Sequence, residues 1–209
     1  DLIKFVKIDN IVFYDGTLDS LKGLQKYKID LIFHLANYYP DAERPAVKEE
    51  IISSNFTLIA NVLNSLGRDI FIPYKSSSQY PLNFRIINVT SHVVFDDKDQ
   101  STYKVTKELA FKYLSNQNCK SYVLHDTYGI NDPRPKLINH LIDYSKTGNN
   151  LVMKNTKDSE INLVYYKDVI SAFMLAIENM YDDDKDKYYH ICCDTLTLDE
   201  VIDIFNQVS

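Results

Sequence analysis

The sequence predicts an α/β fold, a doubly wound parallel sheet followed by a smaller and less regular C-terminal part. Two observations carry this. Short apolar runs alternate with longer stretches of helical period, the chain pattern of repeated strand-helix units. Two of the runs, Asp30-Leu31-Ile32-Phe33-His34-Leu35 and Phe84-Arg85-Ile86-Ile87-Asn88-Val89, are apolar on both faces, as strands covered by helices on both sides must be.

In chain order, Ile11 to Tyr14 reads as a strand, Leu18 to Tyr27 as a helix, and Asp30 to Leu35 as a buried strand. Val47 to Leu66 places Ile51, Ile52, Phe56, Ile59, Val62, Leu63 and Leu66 on one helical face, and Gly67 stands where a terminating glycine belongs. After the strand at Phe84 to Val89, Tyr103 to Leu114 is a helix, Ser121 to Leu124 a strand and Leu137 to Tyr144 a helix. Crossovers in such a sheet are right-handed. From Gly129 the regularity weakens: Pro133-Arg134-Pro135 is a loop, Ile161 to Tyr166 a strand, Val169 to Asn179 a helix capped by Asp168, and Leu198 to Val208 a last helix. Residues 1–128 are therefore expected to form the sheet domain. Residues 129–209 are expected to form mainly a cap, with elements returning to the sheet.

Composition narrows the function. The 209 residues are 45% hydrophobic and 25% charged, which is globular and excludes disorder. A formal net charge of −6 opposes both a nucleic-acid backbone and an anionic membrane surface. No apolar run reaches the roughly eighteen residues of a membrane span and no leader pattern opens the chain, so a soluble cytoplasmic protein is expected. The three cysteines, Cys119, Cys192 and Cys193, lack zinc-ligand spacing and predict neither a disulfide framework nor a metal site; Cys192 and Cys193 are expected to pack within a strand. The acidic run Asp182 to Lys187 reads as a solvated turn, since it lacks the glycine and distal glutamate of a calcium loop. Asn55-Phe56-Thr57 and Asn88-Val89-Thr90 are chance matches to a glycan acceptor.

The strongest chemical signal is Ser91 just beyond a buried strand, followed by Tyr103-Lys104-Val105-Thr106-Lys107 at the head of the next helix. Residues four apart share a helix face, so an ammonium at Lys107 lies one turn from the phenol of Tyr103. There it can lower a pKa that is about 10 in water. Such a phenol exchanges a proton with a carbonyl or alcohol oxygen, and Ser91 can hold the same oxygen. A tyrosine and lysine at this spacing are also a common surface pair.

The order of features resembles the extended short-chain dehydrogenase/reductase family, the NAD-dependent epimerase/dehydratase group, over nearly the whole chain. Phe13-Tyr14-Asp15-Gly16 resembles the strand end whose aspartate contacts the cofactor adenine. Leu31-Ile32-Phe33-His34-Leu35-Ala36 resembles the strand lying against the cofactor phosphates and riboses. Asn55 is similar to the helix asparagine that ties the central strands together, and Val89-Thr90-Ser91-His92-Val93-Val94-Phe95 to the strand and turn bearing the catalytic hydroxyl. The resemblance implies a Rossmann-like NAD(P)-binding domain and Ser91, Tyr103 and Lys107 as catalytic residues. It implies cofactor contacts at Asp15, Gly16, Leu35, Ala36, Asn37, Asn55, Tyr103, Lys107 and Thr127. His34 is read as a core histidine bonded to backbone, and His92 as a surface residue.

Two later stretches, Leu124 to Leu137 and Ile161 to Val169, resemble segments of CDP-abequose and CDP-paratose synthases. These use NADPH to reduce the 4-keto group of a CDP-linked dideoxyhexulose in O-antigen, hence lipopolysaccharide, synthesis. The implied function is NAD(P)H-dependent reduction of a nucleotide-linked 4-keto-deoxysugar, with Thr90, Ser91, Asp126, Arg134 and Lys136 on the substrate and no metal. A guanidinium suits a pyrophosphate. The alternatives are an NAD-dependent nucleotide-sugar 4-epimerase, which uses the same tyrosine and lysine, and a non-catalytic member of the group. Dehydration is disfavoured, because His92 and Val93 stand where dehydratases place an Asp-Glu pair. A homodimer is compatible with the group's habit of pairing through the helix that bears the tyrosine.

Two features depart from the family pattern. The Gly-x-x-Gly-x-x-Gly turn that brings a dinucleotide to a helix N-terminus is missing before Asp15, and only 5 glycines occur in all. The spacing from Ser91 to Tyr103 is about half the family's usual one. The sequence is therefore expected to lack segments of a longer protein, and an intact mass well above 24.3 kDa is the expected sign of it.

Overall fold

A computed structural model describes residues 14–38, 48–67, 84–117, 119–130, 132, 134, 136–148, 158–179 and 187–208. All but Tyr14 of the first expected strand, all but Lys187 of the acidic turn, and Pro133 and Pro135 lie outside the described residues. The chain divides into two compact units, 1–121 and 122–209. Among the described residues no helix is long and apolar enough to cross a membrane.

The first unit is built on a parallel pair of strands. β1 (Leu31–His34) lies beside β2 (Arg85–Ser91), with Leu31 opposite Arg85 and His34 opposite Asn88. Every residue of β2 from Ile86 to Thr90 is buried, the sign of a strand covered on both faces. Asn88 spends its amide on the Ser121 hydroxyl at 3.2 Å, at the start of β3 (Cys119–Leu124). Both are side chains in the sheet interior, so the glycan reading of Asn88 fails on burial alone.

Helices close the core. The long helix expected from Val47 to Leu66 is α1 (Lys48–Ile52), a π-helical turn (Ser53–Thr57) and α2 (Leu58–Ser65), ended by Gly67 at φ +79° as expected. Leu18 to Tyr27, expected as a helix, is a 3-10 helix over Asp19–Lys26. Its apolar residues Leu18, Leu21, Leu24 and Tyr27 recur every third position, which is the 3-10 repeat rather than the α repeat. α3 (Thr102–Ser115) starts at Ser101, whose hydroxyl accepts the Lys104 N–H at 3.2 Å. The core gathers Ile59 and Leu63 from α2, Phe84 and Ile86 from around β2, Leu114 from α3 and the buried thiol of Cys119. Each large aliphatic side chain fully buried here stabilises the unit by about 1.5–3 kcal/mol.

The second unit pairs β4 (Asp126–Tyr128) in parallel with β5 (Glu160–Tyr165), and β5 antiparallel with β7 (Thr195–Thr197). α4 (Leu137–Thr147), α5 (Tyr166–Glu178), β6 (Tyr188–Ile191) and α6 (Leu198–Val208) complete it. Its core holds Val164, Val169 and Ile191, with Tyr122, Leu124, Ala172 and Phe173 against them. Thr197 and Glu200 form a reciprocal capping box: the Glu200 carboxylate accepts the Thr197 N–H at 2.7 Å, and the Thr197 hydroxyl accepts the Glu200 N–H at 3.2 Å.

Two expectations are corrected here. α5 begins three residues before Val169, so Asp168 lies inside its first turn, favourable to the helix dipole, and is not the cap. Cys192 and Cys193 are exposed beyond β6 and pack in no strand; Asn162 Oδ1 accepts the Cys193 N–H at 3.0 Å and fixes the backbone there.

Gly129 has no room for a side chain, because a Cβ there would stand 2.4 Å from the Tyr166 ring. Gly129→Ala is therefore expected to lower the unfolding free energy by about 1–3 kcal/mol in urea denaturation. An unchanged midpoint would contradict the packing.

Candidate active site

The site grows out of the register of β1 and β2. Because His34 stands opposite Asn88, Leu35, Ala36 and Asn37 leave β1 at the level where Val89, Thr90 and Ser91 finish β2. Parallel α/β sheets bind ligands at this carboxyl edge. Ser91 ends the strand with extended backbone (φ −108°, ψ 151°) and is half-buried, and a short 3-10 turn, His92–Phe95, follows. Leu35 is 56% exposed and Asn37 is exposed, so the edge presents one apolar and one amide side chain.

α3 brings the tyrosine and lysine to that edge. Its inward stripe runs Tyr103, Lys107, Ala110, Leu114, at steps of four, three and four, with Tyr103 half-buried and the other three buried. A lysine thus occupies a core position. Lys107 is 4% exposed, and its Nζ donates to the Val89 carbonyl at 3.5 Å, two residues before Ser91 on the same strand. Asn37 Nδ2 donates to the Tyr103 phenol oxygen at 3.4 Å. Ser91, Tyr103, Lys107 and Asn37 are thereby tied to one edge of one unit.

Burial sets the electrostatics. Removal from water pushes the Lys107 ammonium down to about 8 from an ordinary 10.5. His34, 5% exposed, falls to about 4, chiefly through burial and then through the Lys107 charge, so it is neutral at pH 7. Its Nε2 has no hydrogen-bond partner among the described residues, nor has the enclosed hydroxyl of Thr90. His34 is a core histidine, as the sequence suggests, but this nitrogen makes no backbone bond. His92 is half-buried.

Asn55 explains how the edge is held. It is fully buried in the π-helical turn, where its Oδ1 accepts the Tyr38 N–H at 2.8 Å and its Nδ2 donates to the Thr106 hydroxyl at 3.3 Å. The segment after β1, carrying Asn37, is so fastened to the helix carrying Tyr103. With both amide atoms engaged, Asn55 positions its neighbours. Asp15 and Gly16 lie elsewhere in this unit as an exposed turn: the Asp15 carboxylate accepts the Thr17 hydroxyl at 2.6 Å and N–H at 2.9 Å, which lowers its pKa, and Gly16 has φ +94°.

The remaining candidates belong to the second unit. The Lys136 Nζ donates to the Thr127 carbonyl at 3.0 Å, and Arg134 Nη2 reaches the Thr127 hydroxyl at 3.5 Å. Asp126 is exposed on β4. Burial first, and the Arg134 charge second, lower the Lys136 pKa. The guanidinium is also forked onto Asp132, at 2.7 Å from Nε and 2.6 Å from Nη2, which holds the Asp132 carboxyl below its ordinary range. Sequence reasoning missed Asp132, although an aspartate two before an arginine in a loop is a signal for such a fork. It also missed Thr106 and the Val89 carbonyl, which only the tertiary fold brings to bear.

The residues fit a dinucleotide at the first unit's sheet edge. A buried ammonium with one long acceptor among the described residues has donors to spare for ribose hydroxyls, and Leu35, just past the end of β1, offers an exposed apolar surface. Geometry thus defines an α/β protein with a tyrosine-lysine pair at the carboxyl edge of a parallel sheet. The sequence profile of the NAD dependent epimerase/dehydratase family matches residues 5–192, and the chain belongs to that family. Over 177 residues it is 27% identical to the CDP-abequose synthase of Yersinia pseudotuberculosis, covering 79% of this chain and 56% of that enzyme. The fold is similar to that of the Bordetella bronchiseptica enzyme WbmG in complex with NAD, with a TM-score of 0.71 and 14% identity over 95% of this chain and 62% of that one. It is also similar to UDP-N-acetylglucosamine 4-epimerase from Bacillus cereus, with a TM-score of 0.67 and 18% identity over 93% and 67% of the two chains. The chain spans little more than half the length of the relative it matches in sequence.

Lys107 gives a stability prediction. The fall from 10.5 to about 8 corresponds to about 3 kcal/mol, a cost of holding the charged form in the fold. It is present below pH 8 and disappears as the pH rises through 8 to above 10.5, where the unfolded chain also loses the proton. Lys107→Met is expected to unfold at higher urea than the wild type at pH 7, with the difference vanishing above pH 10.5. Equal or lower stability at pH 7 would contradict the buried charge.

Proposed function

We propose that the chain is the catalytic part of an NAD(P)H-dependent reductase acting on a nucleotide-linked 4-keto-deoxysugar, in the manner of a CDP-abequose synthase. The observation that supports this most is Lys107, a buried and under-bonded ammonium on the same helix stripe as Tyr103, with Ser91 closing the strand that holds it. When bound, the dinucleotide supplies the hydride. Leu35, Ala36 and Asn37 after β1, Asp15 and Gly16 at their turn, and Thr127 would hold it, with Asn55 fixing the segment that carries Asn37.

The protein's own part is proton transfer and position. As the sugar carbonyl is reduced its oxygen gains negative charge, and the Ser91 hydroxyl donates a hydrogen bond to it. Tyr103 gives that oxygen its phenolic proton, and the resulting phenolate is stabilised by the Lys107 charge and the Asn37 amide donor. Lys107 would also donate to a ribose hydroxyl of the dinucleotide. Thr90, next to Ser91 on β2, and Asp126, Arg134 and Lys136 would take the substrate, the two cations its pyrophosphate. We assign residues 1–128 to the cofactor and 129–209 mainly to the substrate.

A second reading, 4-epimerisation of a nucleotide sugar, is favoured by the likeness of fold to a 4-epimerase. It uses Tyr103 to remove and then return the proton, with no net change in the cofactor. Incubation of the full-length protein with CDP- and dTDP-linked 4-ketosugars, and separately with the corresponding 4-hydroxy sugars, followed at the reduced nicotinamide band at ~340 nm, separates the two. Net loss of the band marks the reductase, and interconversion of isomers without loss marks the epimerase. Tyr103→Phe is expected to lower turnover by at least about a hundredfold while leaving dinucleotide affinity largely intact; near-normal turnover would refute the role. Lys107 must be cationic to stabilise the phenolate, so kcat/KM for the dinucleotide, which reports the free protein, is expected to fall above about pH 8. In Lys107→Arg, whose charge persists, that fall should move to higher pH.

A further inference from the structure

Outside the proposed site, one pair of metal-ligating side chains stands at the separation of two ligands on one cation. His125 follows β3 directly and His190 lies on β6, 65 residues on in sequence, and His125 Nε2 stands 3.0 Å from His190 Nδ1. The rings are tilted by 47° with centroids 5.3 Å apart. His125 is half-buried and His190 exposed, so the pair opens to solvent. The frame beneath is set by stacking of Tyr122 on Tyr189 at 5.3 Å, and the Tyr188 ring meets His190 edge-on at 5.8 Å.

We propose that His125 and His190 form a binding site for a borderline-soft divalent cation of the zinc, nickel and copper class. Two imidazole nitrogens bound at about 2.1 Å and about 90° to one another lie about 3.0 Å apart, which is the separation present. As the pair stands, one nitrogen donates its proton to the other. A cation takes both lone pairs only when that proton has moved to the far nitrogen of its ring or to water and the two rings have turned so that both lone pairs converge on it, so binding changes the tautomer of one imidazole and the side-chain torsions of the pair. Among the described residues no group of three or more His, Cys, Asp or Glu could hold a metal, so among them the imidazole pair alone ligates the cation and water can take the remaining positions. Oxygen-seeking cations such as magnesium gain nothing from two imidazoles. A bound cation joins the end of β3 to β6, an effect separate from the chemistry proposed for Ser91, Tyr103 and Lys107.

Calorimetric titration of the full-length protein with nickel(II) and with magnesium tests this, using His125→Ala, His190→Ala and, as a control, His140→Ala on α4. The proposal expects one nickel per chain, no magnesium heat, affinity lowered by about tenfold or more in each of the first two variants, and no change in the control. Nickel affinity unchanged in both, or lowered equally in His140→Ala, would overturn it. Should an alanine variant fail to fold, pulsed paramagnetic resonance of the wild type with one equivalent of copper(II) reads the imidazoles directly. Two coordinated imidazole rings support the site, and one or none refutes it.

Discussion

The first unit depends on one unusual interaction, a lysine ammonium buried at a helix-strand interface against one backbone carbonyl, its one acceptor among the described residues. An apolar side chain at position 107 would continue the stripe from Ala110 and Leu114 and would suit the core of Ile86 and Leu63. Instead a charge is held out of water with one acceptor at 3.5 Å, an arrangement that costs stability unless a further partner arrives. The cost is the physical argument for function: folding alone gives no reason to place Lys107 there, whereas a ligand bearing hydroxyl acceptors does. His34 shows the same tension from the other side, since burial beside that charge keeps its imidazole neutral.

The surrounding structure serves to hold this edge still. The π-helical turn inserts one extra residue per turn into the helix, and Asn55 within it reaches both Tyr38 and Thr106. The Ser101 cap fixes where α3 begins and so where Tyr103 lies. The parallel register of β1 and β2 brings the residues after His34 and the end of β2 to a common level. The second unit is organised on its own terms, with Gly129 admitting the Tyr166 ring, a capping box before α6, and Asp132 fixing the guanidinium of Arg134.

What the sequence reveals follows from range. Gly67, the limits of α3 and α6, and the buried strand at β2 are legible because caps and periodicity act within a few residues, and Tyr103 and Lys107 are legible because four residues make one turn. β4, β6 and β7 escape notice because they are three or four residues long; Asp126-Thr127-Tyr128 has no apolar alternation to betray it. The 3-10 helix at Asp19–Lys26 was encoded in the spacing by threes, but that spacing also passes for an amphipathic α-helix. Strand β2 extends through Thr90 and Ser91 where polarity suggests a turn. The Val89 carbonyl, the Asn55-Thr106 bond and the His125-His190 pair are products of tertiary contact between segments 18 to 65 residues apart, and no local pattern announces them.

The account turns on whether the Lys107 ammonium is in fact held short of partners until a dinucleotide supplies them. Nitrogen-detected magnetic resonance of lysine side chains in the full-length protein, with the signal assigned by its loss in Lys107→Arg, measures the titration directly. The account predicts a midpoint near 8 in the free protein, moving upward when reduced dinucleotide binds and its hydroxyls accept from Nζ. An ordinary lysine midpoint in the free protein, or one that binding leaves in place, would contradict it.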